Sequence, residues 1–238
     1  MRTKSIGLRE RTWANKRLQN LLGTFVEDAS GIFLATDISD EHHPEVTEAL
    51  DGLPVQLLGL ARDFELTLNV SRLGCTSNQN VCTIYANWGA ASKEAVSVHL
   101  EVGRNAFGRN LRPFLVHELG HLWWRTRSVE AQLSYRHFLL DSTGAREFEV
   151  TEYAHSKFSR FLALASPESG SGPTPRKDAL GFARQIWVEE SFCETVAKLA
   201  VPDYKSDEDW NCTVDLGLRN RRIEELTDLK LNTEERWN

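Results

Sequence analysis

The sequence is poor in methionine, with Met1 the only one in 238 residues. It has four cysteines, Cys75, Cys82, Cys193 and Cys212, and none form a C-x-x-C pair. That spacing excludes a zinc ribbon and a thioredoxin-type redox motif. No apolar run approaches the roughly 20 residues of a membrane-spanning helix. The N-terminus, MRTKSIGLRERTWANKR, is basic but has no apolar core, so it is not a secretory signal. The formal net charge of −6 argues against a general nucleic-acid binder. What is left is a chain with the balance of a soluble globular protein, 41% hydrophobic and 26% charged.

Against that background one stretch stands out, Phe114–Trp124, reading FLVHELGHLWW. It contains His117, Glu118 and His121 as H-E-x-x-H. Residues four apart on a helix differ by only about 40° around its axis. Both imidazoles therefore leave one face and can close on one ion, and Glu118 stands beside that face, placed to take a proton from water. Zinc suits neutral imidazole nitrogens and keeps a position open when catalytic. Phe114, Leu115, Val116, Leu119, Leu122 and Trp123 make this helix apolar nearly all round, which predicts burial. Two histidines and a glutamate in such a helix need partners, and a metal supplies them.

The motif resembles that of the zincin metallopeptidases. The metzincin continuation is missing, because Trp124 and Arg127 stand where its Gly and third His would be, and a Met-turn cannot form. The resemblance is therefore to gluzincins, whose third ligand is a glutamate on a later helix. Trp187-Val-Glu-Glu190-Ser-Phe-Cys resembles the WLNEGFA segment of aminopeptidase-type gluzincins. Glu190-x-Phe-Cys-Glu194 resembles the ExFAE segment of the anthrax lethal factor group. By that resemblance Glu190 is the third ligand and Glu194 a carboxylate that supports the site. Glu152, in TEYAHSKF, is the rival ligand; Ser156 stands where its supporting glutamate would be. Adjacent Glu189 reads as a residue of a solvated helix face. Gluzincins often add a Tyr or His donor for the oxyanion; Tyr135, His137, Tyr153, His155 and Tyr204 are open candidates. His42 and His43 read as exposed loop residues and His99 as a packing residue of a strand.

The resemblance implies an α+β, zincin-like fold: a small mixed sheet, an edge strand beside the H-E-x-x-H helix, and a mainly helical C-terminal part. Residues 1–12 read as a basic tail, with an organelle presequence or delivery segment as the alternative. Residues 13–238 read as one catalytic domain, an α/β sub-lobe to about 127 and a helical sub-lobe from 128. Expected helices span Trp13–Val26, Pro44–Phe64 with a break at Pro54, Asn105–Arg127, Ser128–Leu140, Glu147–Ala165, Asp178–Val201 and Leu218–Leu231. Expected strands are Gly31–Thr36, Glu65–Val70, Val81–Asn87 and Ala95–Val102. Ala95–Val102 immediately precedes the motif helix and is the expected edge, able to hold an extended protein or peptide substrate by β-augmentation. Ser166–Pro175 reads as a loop. Cys75 and Cys82 bracket a polar loop and read as reduced without a signal peptide.

The function implied is a zinc endopeptidase of narrow specificity, with one zinc ion per chain. Two other readings share the motif: a catalytically silent zincin-like module that binds a partner, and a non-peptidase zinc amide hydrolase such as a deformylase, whose upstream cysteine segment is missing here. The cytoplasm is the default location, with export by a route that needs no signal peptide as the alternative.

Overall fold

In the computed structural model the described residues are 2–5, 24–36, 43–71, 82–88, 95–103, 111–141, 156–160, 163, 177–201 and 216–231. The chain is a mixed α+β protein that divides into two compact units, Met1–Thr126 and Arg127–Asn238.

The first unit is built on a six-stranded mixed sheet: β1 (Thr3–Ser5), β2 (Thr24–Glu27), β3 (Phe33–Ala35), β4 (Thr67–Ser71), β5 (Cys82–Trp88) and β6 (Ala95–Gly103). The spatial order is β1-β2-β3-β4-β6-β5. The β3–β4 and β4–β6 pairs are parallel; the other three are antiparallel. β3, in the sheet's interior, is buried at all three residues, as a strand covered on both faces must be. Between β3 and its parallel neighbour β4 the chain crosses over through α1 (His43–Asp51) and α2 (Val55–Asp63). The single helix expected over 44–64 is thus two, and Pro54, which cannot continue a helix, precedes the first residue of the second. Glu65, expected to open β4, instead follows the C-cap of α2 with φ +46°, and its neighbour's amide, Leu66 N–H, bonds the Ala61 carbonyl at 2.8 Å.

Two further expectations need correction. Residues 24–26 were to close a helix begun at Trp13; they are strand β2, and residues 13–23 lie outside the described set. Thr24 and Val26 are β-branched, and pairing on both sides with β1 and β3 outweighs the helical spacing of Leu21, Leu22 and Phe25. Residues 3–5, assigned to a free tail, form β1. Arg2 pins it, donating to both carboxylate oxygens of Glu27 at 2.5 and 2.9 Å and lying 5.4 Å from the Phe33 ring centroid.

α3 (Leu111–Thr126) packs on α1 and α2 and against strand β5. Pro113 sits in its first turn, where the missing N–H costs nothing. The Thr126 hydroxyl donates to the Trp123 carbonyl at 2.8 Å at its end.

The second unit is helical among the described residues. α4 (Val129–Asp141), α5 (Lys177–Ala200) and α6 (Leu216–Thr227) pack on one another. Residues 156–160, inside the helix expected over 147–165, are also helical. The Ser128 hydroxyl accepts the Ala131 N–H at 3.2 Å and caps α4. Aromatic contacts join the parts: Tyr135 meets Phe192 edge-on at 5.4 Å, and Phe158 meets Trp187 at 4.8 Å. α6 stops at Thr227, short of the expected Leu231, because Asp228 turns into the left-handed region at φ +58°.

Candidate metal centre

α3 buries Leu111, Pro113, Leu115, Val116, Leu119, Gly120, Leu122, Trp123 and Trp124. The expected all-round burial stops at one stripe. Phe114, His117, Glu118 and His121 are half-buried, and Arg125 one turn further is exposed. These positions follow the helical repeat i, i+3, i+4, i+7, i+11, so they share one face. The motif residues are therefore held by a packed helix yet remain reachable.

The two imidazoles converge. His117 Nε2 and His121 Nε2 stand 3.2 Å apart, with ring centroids at 4.9 Å and planes at 73°. Two nitrogens each about 2.0–2.1 Å from one tetrahedral zinc ion would be about 3.3 Å apart. The observed separation fits that edge. It also admits an N–H···N hydrogen bond between one ring as donor and the other as acceptor.

On α5, Glu190, Glu194 and Lys198 form a half-buried stripe with i, i+4 spacing, while Trp187, Ser191, Phe192, Cys193 and Thr195 are buried. Glu190 and Glu194 thus leave the helix on one face, as their spacing predicts. Glu189 does not lie on a solvated face as expected: it is only 9% exposed. Its position beside Trp187 and Val188 turns it toward the buried side of α5. Cys193 is buried.

The remaining candidates separate. Tyr135 is fully buried in the aromatic contact with Phe192, a packing role, and His137 is exposed. Tyr153, His155, Tyr204 and the rival ligand Glu152 lie outside the described residues, as do Cys75, Cys212 and the 166–175 loop. His43 is the exposed first residue of α1, and its carbonyl accepts the Thr47 hydroxyl at 3.0 Å. His99 pairs with Thr67 on β4 and Tyr85 on β5. That pairing corrects the edge assignment. β6 has a neighbour on each side, so Ala95–Val102 cannot be the edge; among the described residues β5 is, and it is the strand beside α3.

Sequence reasoning missed one charged residue of the helical unit, Arg219, which is 0% exposed. A signal was present. Arg219, Ile223 and Thr227 repeat every four residues and form the buried stripe of α6.

No protein-family model, curated protein or solved structure matches this chain.

Proposed function

We propose that the chain is a zinc-dependent metallopeptidase of gluzincin type, an endopeptidase of narrow specificity that binds one zinc ion per chain. The observation that carries this reading is the His117–His121 separation of 3.2 Å on a half-buried helical face, with Glu118 between them in sequence. Glu190 is taken as third ligand because its segment WVEESFC resembles that of the gluzincin glutamate and it stands on a half-buried face of α5. Two imidazoles and one carboxylate are the donor set of a hydrolytic zinc site with a fourth position open.

In this reading His117, His121 and Glu190 hold the ion. When bound, zinc supplies Lewis acidity and brings the pKa of water down to about 7. Glu118 accepts the proton of the attacking water and returns it to the leaving amine, so one carboxylate serves as base and then as acid. Glu194, one turn past Glu190, supports the ligand shell by orienting a ligand side chain. The fold is read as zincin-like because the motif helix lies beside an edge strand of a mixed sheet. β5 takes the role first given to Ala95–Val102: its outer edge, unpaired among the described residues, seats the substrate as an added strand.

The test is metal content and cleavage together. Wild type should purify with about one zinc per chain, and Glu190→Gln should lose it. Glu118→Gln should keep the zinc and lose peptide cleavage. A wild type that takes up no zinc when it is offered sinks the metal centre. Zinc binding without cleavage of any peptide in a library, by wild type, sinks the peptidase and leaves the binding module.

A further inference from the structure

We propose that Arg219 is a positioning residue for the metal ligand Glu190, acting through Thr195 and the backbone of Ser191. The proposal rests on the reading above that Glu190 holds the ion.

Arg219 projects from α6 into the interior of the helical unit, fully buried. Its Nη1 donates to Thr195 Oγ1 at 2.9 Å. The Thr195 hydroxyl in turn donates to the Ser191 carbonyl at 2.7 Å. A hydroxyl has one proton and two lone pairs. Giving the proton to Ser191 leaves a lone pair for the guanidinium, so the chain of bonds runs one way, from Arg219 through Thr195 to the helix backbone. Both Thr195 and Ser191 are themselves 0% exposed.

The turn closed in this way, 191–195, begins one residue after Glu190 and contains Glu194. Threonine bonding back to the carbonyl four residues earlier bends a helix locally. Arg219 fixes the rotamer that makes this bond and ties the turn to α6. A guanidinium is a poor choice if the need were only to pack two helices, because removing its charge from water is costly and an apolar side chain would pack there at less expense. Apolar contacts also allow a helix to slide or rotate slightly; a directional hydrogen-bond chain does not. The buried arginine therefore sets the rotation of the turn on which both carboxylates stand.

The test compares zinc affinity, by competition with a chromophoric chelator, with the thermal midpoint of the metal-free full-length protein. Arg219→Met should weaken zinc binding ten- to a hundredfold, the range for lost ligand-orienting partners. Its metal-free thermal midpoint should stay near wild type or rise. Thr195→Ser, which keeps the hydroxyl, should keep wild-type affinity. Should Arg219→Met fail to fold, Thr195→Val with Arg219→Met removes both polar partners together and should show the same affinity loss. A folded variant of either kind with wild-type zinc affinity overturns the proposal. If neither folds, the proposal is also overturned, since Arg219 then determines the fold rather than the ligand. Zinc lost in Glu190→Gln but retained in Arg219→Met refutes this inference alone, whereas wild type without zinc refutes the metal centre itself.

Discussion

Trp187→Ala is the sharpest test of how α5 is held. Trp187 is 0% exposed and lies 4.8 Å from the Phe158 ring, one turn before Glu190. A buried aromatic residue withdraws about 150–250 Å² from water. At about 25 cal/mol per Å² that is roughly 4–6 kcal/mol, an upper bound because the unfolded chain already hides part of it. Alanine keeps a little of that area and leaves a cavity, so the net loss is about 3–5 kcal/mol. Domains are stable by only about 5–15 kcal/mol, so the substitution removes a large share of what orders this helix. Native-state hydrogen exchange on the full chain reads the effect where it occurs. Protection of the α5 amides should fall about a hundredfold to several thousandfold. Trp187→Phe keeps a ring against Phe158 and should lose far less. A fall of less than tenfold in Trp187→Ala would mean that α5 is not held by this core, and would remove the packing basis for placing Glu190.

Two other predictions address the first unit. The hydrogen bond from Arg2 holds the Glu27 carboxyl below its ordinary value. A depressed carboxyl stabilises the folded form above its unfolded pKa and loses that contribution as pH falls through the folded value. The β1–β2 pairing should thus be firm above about pH 4.5 and loosen below it. The Lys4 amide exchange rate followed against pH checks this, and an identical acid response in Glu27→Gln would remove the ion pair as its cause. If substrate adds as a strand to β5, main-chain bonds should engage alternate residues of the peptide. N-methylation of single substrate amides should then raise KM about five- to tenfold at every second position and little between. Equal effects at adjacent amides would rule out the strand geometry.

The parts of this molecule legible in sequence are those set by local chemistry. Pro54 cannot continue a helix, so it breaks the 44–64 run and stands just before α2. The spacing of His117 and His121 fixes their common face before any packing is known. What the sequence hid was decided by neighbours far along the chain. Thr24–Glu27 became a strand because β1 and β3 flank it. Ala95–Gly103 precedes the motif helix, and its adjacency suggested an edge, but parallel pairing with β4 put it inside the sheet and left β5 outside. Glu189 reads as a solvated charge because charge is normally exposed, and for the same reason Arg219 does not stand out in the sequence. The four-residue repeat Arg219, Ile223, Thr227 pointed inward, and only the assembled core shows that the arginine follows it.

The half-buried stripe of α3 is what separates the proposed site from a chance recurrence of letters. An ordinary surface helix exposes its polar face, and a core helix has no polar face to expose. α3 does neither: nine of its residues are buried, and His117, Glu118 and His121 sit half-covered between them. Partial removal from water strengthens the interactions of these groups with any charge brought among them. The remaining exposure leaves them in contact with solvent. A chance H-E-x-x-H on a solvated helix would have access without this partial desolvation, and one in a sealed core would have desolvation without access. The proposed ion-assisted hydrolysis needs both, and half-burial of His117, Glu118 and His121 is compatible with both.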